Sequence, residues 1–147
     1  MNSEDRSHPL TPQQSMAFDA MVEEVIGHFP PALAELVDQV AVIVLDRPEP
    51  HALNELGIDP EDHQAILEIC GMHSGIPDTC SSVEDGGDLP PQIHLFREAI
   101  IDLCEGLDPD SPESMNRVRE EIIITLLHEI GHQFGLDEDD LERLGYQ

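Results

Sequence analysis

The sequence predicts a single domain that combines α-helices with a few short β-strands. The chain has 147 residues, which is enough to bury one hydrophobic core. Short runs of β-branched and apolar residues have the length of strands. Longer segments begin with capping residues and carry apolar side chains at helical spacing. We expect residues 1–10 to form a flexible polar tail and residues 11–147 to form the domain.

The first predicted helix begins at a capping sequence. Thr11 is the cap, Pro12 takes the first helical position, and Gln14 lies three residues after the cap. Apolar residues at helical spacing then extend the helix to about Gly27. Two prolines end it, and a short second helix is predicted over residues 32–38.

The middle of the chain contains the predicted strands. Residues 40–45 are a β-branched run and predict a buried strand. Residues 46–60 hold three prolines and a glycine, which predict a loop. A helix is predicted over residues 60–68 and extended chain over residues 69–74. After an exposed loop, residues 92–96 predict another strand.

The longest predicted helix lies near the end of the chain, after a helix over residues 97–105. Ser111 caps it, Pro112 takes its first position, and it runs to Phe134. Residues 122–127 are apolar on nearly all sides, which indicates burial. A helix held in the core is a rigid support for a functional site.

A metal-binding motif, H-E-x-x-H-x-x-G-x-x-E, ends this helix. His128 and His132 are one turn apart on one face, so both imidazoles can hold one zinc ion. Glu129 can reach a water molecule on that metal. Gly135 can adopt the left-handed conformation that reverses the chain and brings Glu138 to the metal as a third ligand. Such a site keeps a position open for water, which is typical of catalytic zinc.

Three neighbouring carboxylates compete with Glu138 for the role of third ligand. They belong to Asp137, Asp139 and Asp140, which lie within two residues of it along the chain. The motif alone therefore predicts a carboxylate ligand from this segment and favours Glu138.

The charge of the chain restricts its partners. Six basic residues, all arginine, face 32 acidic ones, and the formal net charge is −26. Such a surface repels phosphate groups, so we expect neither nucleic acid nor anionic membranes as partners. Peptide or protein substrates that are cationic or neutral approach it more easily. Solubility, or a cytoplasm rich in salt, is an equally good explanation for the acidic residues. The oligomeric state stays open.

The sequence shows no membrane-spanning stretch, signal peptide or disulfide framework, which favours a cytoplasmic protein. No apolar stretch approaches 18 residues, and the first ten residues lack both a basic flank and an apolar run, as a signal peptide would need. The three cysteines are an odd number without the spacing of a disulfide framework, which suits a reducing compartment.

From about Met16 to Leu141 the chain resembles the minimal zincins, small bacterial proteins regarded as possible zinc metallopeptidases. The segments that carry the resemblance are 42–48, 71–77, 89–97 and, most specific of all, 128–136. The resemblance implies a compact α+β fold in which a small mixed sheet packs on the long metal-binding helix.

The resemblance also implies roles for individual residues. The two metal-binding histidines of the family fall on His128 and His132, and its catalytic glutamate falls on Glu129. Its third ligand, usually an aspartate, falls on Glu138. No Met follows Met115, so the chain lacks the Met-turn of the metzincins, which share this spacing.

These observations predict a zinc-dependent metallopeptidase with one zinc ion per chain. Water bound to zinc and activated by Glu129 would attack a peptide carbonyl. An extended peptide would pair with a strand edge, for which residues 71–76 and 92–96 are candidates. A non-catalytic, zinc-containing interaction protein is the alternative. An endoribonuclease of the rRNA-maturation type is disfavoured, because that family uses a third histidine and RNA favours a basic surface.

Three further side chains are weaker candidates for the site. Tyr146 could stabilise an oxyanion, and His73 and His94 could lie close to the metal. A frayed terminal residue is the more common explanation for Tyr146, and surface or capping roles are the more common explanation for the two histidines.

Overall fold

The computed structural model of the protein describes residues 10–74 and 91–143. These residues form an α+β fold, as the sequence predicts. Residues 1–9 of the predicted tail and the predicted loop over residues 78–90 lie outside the described residues. The helices are α1 (Pro12–Gly27), α2 (Pro31–Val37), α3 (Pro50–Leu56), α4 (His63–Leu67), α5 (Arg97–Leu103), α6 (Pro112–Phe134) and α7 (Glu138–Arg143), and the strands are β1 (Ala41–Leu45), β2 (Gly71–Ser74) and β3 (Gln92–Phe96).

The three strands form one mixed sheet in the order β1-β3-β2. β1 is parallel to β3, with Val42 opposite Ile93, and β2 is antiparallel to β3, with Met72 opposite His94. β3 is therefore the central strand, and both of its edges are paired. Of the two candidate edges for a bound peptide, residues 92–96 are excluded and β2 remains.

The core lies between one face of this sheet and two long helices. Ile93 and Leu95 point into it from β3 and are fully buried. Phe18 of α1 and Leu126 of α6 belong to the same cluster and are equally inaccessible. Alternation along β3 sends Ile93 and Leu95 to this face and His94 to the other. Consequently α6 is fixed by α1 on one side and by the sheet on the other.

Two predictions for residues 40–60 were wrong. β1 is an edge strand and each of its residues is only partly buried, whereas the β-branched run predicts a buried strand. The predicted loop contains α3, for which Pro50 takes the first turn and Gly57 ends the helix with a positive φ of 75°. The proline and glycine that predict a loop are the start and stop signals of a short helix.

The arginine side chains of the described residues all have acceptors within the protein. Arg97 binds Asp19 and Asp46. The other four pair as follows: Arg47 with Glu98, Arg117 with the carbonyl of Cys104, Arg119 with Glu24, and Arg143 with Asp140. Most of the acidic residues thus have no basic partner in this part of the molecule. None of the helices in the described residues is both long enough and apolar enough to cross a membrane.

Candidate metal centre

Helix α6 carries the predicted metal-binding residues, and both of its ends are fixed by local interactions. The Ser111 hydroxyl accepts a hydrogen bond from the Ser114 amide, and Pro112 occupies the first turn. At the other end Gly135 has φ 67° and ψ 36°, the left-handed conformation that the sequence predicts. The Leu136 amide then donates to the Gly131 carbonyl at 2.8 Å, so the chain turns back along the helix.

Gly131 lets the reversed chain approach α6 closely. A Cβ atom at this position would lie 3.0 Å from the carbonyl oxygen of Leu136. A side chain there would press on backbone atoms and displace the turn. The glycine between the two histidines is therefore needed for the segment that follows the helix.

His128 and His132 lie side by side on the exposed face of α6. Their Nε2 atoms are 2.9 Å apart, and both side chains are exposed to solvent. Two nitrogens that bind one tetrahedral zinc at about 2.05 Å are about 3.3 Å apart. The observed separation is close to that value, and imidazole nitrogens are preferred zinc ligands. This pair of donors therefore fits a zinc ion.

Glu129 lies on a different side of α6, against strand β2. Its residue exposure is only 7%. A Cβ atom placed on Gly71 would lie 3.4 Å from the Cγ atom of Glu129, and 2.6 Å from the Cγ2 atom of Thr125. The absence of a side chain at Gly71 is what allows β2 to pack so closely on the helix. The proposed general base thus lies between the metal-binding helix and the edge strand.

Helix α7 begins directly after the turn, and its first residues include the carboxylates that compete with Glu138. Asp137 accepts a hydrogen bond from the Asp140 amide, and Asp140 accepts one from the Asp137 amide. Asp140 also pairs with Arg143. The hydrogen bond from Asp137, followed by that from Arg143, lowers the pKa of Asp140. Both aspartates are therefore engaged in forming α7.

Glu138 differs from these two aspartates in its contacts. It is exposed and lies at the first position of α7, and among residues 10–74 and 91–143 it has no hydrogen-bond or ion-pair partner. It lines the same groove as His128 and His132. No group of three potential ligands is close enough to hold a metal within the described residues. Glu138 as the third ligand thus stays a prediction.

A groove between α6 and α7 contains the two histidines. It has a volume of about 650 Å³. Its described walls are apolar apart from the histidines and two acidic residues, and they are formed by Ile124, Leu127, His128, Gly131, His132, Gly135, Leu136, Asp137, Glu138 and Leu141. We refer to it as the α6–α7 groove.

The weaker candidates do not join this groove among the described residues. His94 lies on the other face of the sheet, in a small cavity that it shares with Glu49, His51 and Glu55 of the α3 region. Its Nδ1 atom is buried without a partner in the described part of the chain, and burial lowers its pKa. For His73 only the backbone is described, and Tyr146 falls outside the described residues.

Sequence reasoning missed two features that shape the site. One is Gly71, whose close contact with α6 leaves no mark in the sequence beyond a glycine at the start of a strand. The other is α7 with its reciprocal hydrogen bonds between Asp137 and Asp140. The spacing of these aspartates, D-x-x-D after a helix-ending glycine, resembles a capping box and could have indicated the helix.

Comparison with known protein families assigns most of the chain to one of them. A family model described as zincin-like metallopeptidase matches residues 37–146, which include the sheet, α6 and the turn after it. No curated protein was found to match the chain.

Proposed function

The chain belongs to the zincin-like metallopeptidase family, and from this premise we propose that it is a zinc-dependent peptidase with one metal ion. His128 and His132 would hold the zinc through their Nε2 atoms, and Glu138 would complete the set of protein ligands. The proposal depends on the two Nε2 atoms, which lie 2.9 Å apart on α6. Glu129, the residue after His128, is buried against the edge strand β2.

Zinc, when bound, lowers the pKa of a coordinated water to about 7 and polarises a carbonyl group. Glu129 accepts a proton from the attacking water and donates it to the nitrogen of the departing amine. The carboxylate needs no other residue of the chain for this transfer, because one group serves as base and then as acid.

Strand β2 would hold the substrate in an extended form. It pairs with β3 on one side, and within the described part of the chain no strand pairs with its other side. A peptide added at this edge would gain backbone hydrogen bonds, and its scissile bond would pass close to Glu129. The acidic surface favours neutral or cationic peptides over nucleic acids and anionic membranes.

The substitution Glu129→Gln tests the proposal. The amide cannot accept the proton of water, so hydrolysis should fall by at least about 100-fold while zinc content and the circular dichroism spectrum stay unchanged. Because no substrate is specified, cleavage would be measured by mass spectrometry on a proteome-derived peptide mixture.

Glu120→Gln is the matched control, since it makes the same change at an exposed position of α6 more than two turns away. Its cleavage should equal that of the wild type. Loss of zinc or of folding in Glu129→Gln would assign Glu129 a structural role. If the wild type, Glu129→Gln and Glu120→Gln all gave the same mass spectra of the peptide mixture, the alternative of a non-catalytic interaction protein would be favoured.

A further inference from the structure

Strand β1 has an open edge. It pairs with β3 on one side, and among the described residues no strand pairs with its other side. The Ala41 amide donates to the Pro91 carbonyl at 3.0 Å, so Ala41 directs its backbone groups toward β3. These directions alternate along a strand, and Val42 and Val44 therefore direct theirs to the open edge. Both valines thus offer an amide and a carbonyl to a further strand.

β1 also lacks the features that protect an edge strand from pairing. Ala41–Leu45 contains no charged residue, proline or glycine, and its five side chains are apolar and only partly buried. Its register with β3 is continuous, without a bulge. Soluble proteins usually place lysine, proline or a bulge on such an edge, and an apolar edge without them is a template for another strand.

The charges next to β1 are paired within one chain. Asp46 directly follows the strand and binds Arg97 at 2.9 Å, and Arg47 binds Glu98. Residues 39–45 carry no charge. A second acidic chain that approaches this edge therefore meets no unpaired charge in the strand or directly after it.

The strand is complementary to itself in an antiparallel arrangement. With Ile43 opposite Ile43 of a second copy, Val42 lies opposite Val44 of that copy, and such a pair exchanges two backbone hydrogen bonds. This register uses the open backbone groups of both valines in each chain. The first charged residues after the strand, Asp46 and Arg47, then lie opposite uncharged residues, so like charges do not face each other.

We propose that two copies of the chain associate through β1 and form one continuous sheet in the order β2-β3-β1-β1-β3-β2. Both copies use the same edge, so the twofold arrangement closes at two chains. The dimer is independent of the proposed peptidase reaction, because the open edge of β2 stays at both ends of the combined sheet.

Sedimentation equilibrium of the full chain over a range of protein concentrations tests this association. The remaining negative charge of each copy repels the other at long range, so salt should strengthen the dimer. We expect the dissociation constant to fall by at least about tenfold from about 0.05 M to about 1 M NaCl. A monomer under all these conditions, or an association that salt weakens, would overturn the inference.

Three variants of β1 locate the interface. Val44→Pro removes an amide hydrogen that faces the open edge, so it should weaken the dimer by at least about tenfold and leave the pairing with β3 intact. Val44→Ala is the matched control, because it shortens the same side chain but keeps the amide, and it should weaken the dimer clearly less. Ile43→Glu places two like charges opposite each other and should remove the dimer at low salt.

The circular dichroism spectra of these variants should equal that of the wild type. Equal losses in Val44→Pro and Val44→Ala, or a dimer that Ile43→Glu leaves unchanged, would contradict an interface at β1.

Hydrogen exchange of individual amides identifies the bonded edge directly. The amides of Val42 and Val44 should exchange at least about tenfold more slowly in the dimer than in the dilute monomer. Slow exchange already in the monomer would mean that the edge is covered within one chain. Fast exchange in the dimer would place the interface elsewhere, and either result would overturn the inference.

Discussion

Glu138 and its neighbours have similar side chains, but their contacts differ. Asp137 and Asp140 hold the start of α7 through reciprocal hydrogen bonds, so removing either one changes the helix as well as the charge. Asp139 is exposed and does not line the groove. It is therefore the proper control for the role of Glu138.

Glu138→Ala should weaken zinc binding by at least about 100-fold, because loss of a direct ligand exceeds the 10- to 100-fold cost typical of outer-shell partners. Asp139→Ala should change the affinity less than about threefold. Competition with a chelating dye would measure both constants. A larger loss in Asp139→Ala than in Glu138→Ala would mean that a different carboxylate is the ligand.

Gly135 is the second single residue with a predictable effect. A Cβ atom there would meet nothing within 4 Å, so any penalty comes from the backbone φ of 67° alone. Gly135→Val should lower the free energy of unfolding by about 1–2 kcal/mol and weaken zinc binding, because the turn that carries Glu138 relaxes. Gly135→Asn, which tolerates this conformation, should cost clearly less.

Urea unfolding and the same dye competition would measure the two effects of these substitutions. Equal zinc affinity in Gly135→Val and the wild type would show that the conformation of the turn does not affect metal binding.

The arrangement of the motif residues on α6 could be predicted because it depends on local spacing. His128, Glu129, His132 and Gly135 belong to one helix and its end, and a helix fixes their relative positions. The position of Glu138 depends on α7. The burial of Glu129 depends on β2, which is more than 50 residues away in sequence. Such long-range contacts leave no periodic signal in a single sequence.

At the level of elements, strand β2 packs closely on α6 at Gly71. Gly71→Ala would put a Cβ atom 2.6 Å from the Thr125 methyl group and 3.0 Å from the His94 carbonyl oxygen. We expect a loss of about 1–3 kcal/mol in the free energy of unfolding, since strand and helix must separate. The double variant Gly71→Ala, Thr125→Ser removes the methyl group and should recover part of this loss.

Urea titration of the wild type, both single variants and the double variant gives the coupling between the two positions. Strictly additive effects would show that β2 does not press on α6 at this point.

The elements differ in how well the sequence predicts them. The bounds of α6 agree with the prediction, because Ser111, Pro112 and Gly135 are strong local signals. The prediction failed for α3 and for the burial of β1, where local composition resembles a loop or a central strand. The position of a strand within a sheet is decided by its partners, and a β-branched run cannot reveal them.

For the whole molecule, the net charge of −26 is the dominant electrostatic property. Repulsion among carboxylates opposes the compact state, and salt shortens its range from about 30 Å at 0.01 M to about 3 Å at 1 M. The thermal midpoint should therefore rise by at least about 4 °C between these concentrations of NaCl, which corresponds to about 1–2 kcal/mol for a domain of this size.

Differential scanning calorimetry at constant zinc content would measure this rise. Tetramethylammonium chloride at equal ionic strength is the control, because its large cation screens charge but binds carboxylates poorly. A rise only with sodium would indicate a specific ion site, and no rise with either salt would contradict a destabilising repulsion.

The strand order β1-β3-β2 also has a consequence for the order in which the protein folds during its synthesis. β1 and β2 both pair only with β3 among the described strands, and β3 is the last of the three to be translated. At 5–20 residues per second, the ribosome needs about 3–10 seconds to proceed from the end of β1 to the end of β3. During that interval neither earlier strand has its partner, and α6 has not yet been made. A nascent chain that stalls before residue 92 would expose both strands, which makes chaperone binding at this stage advantageous.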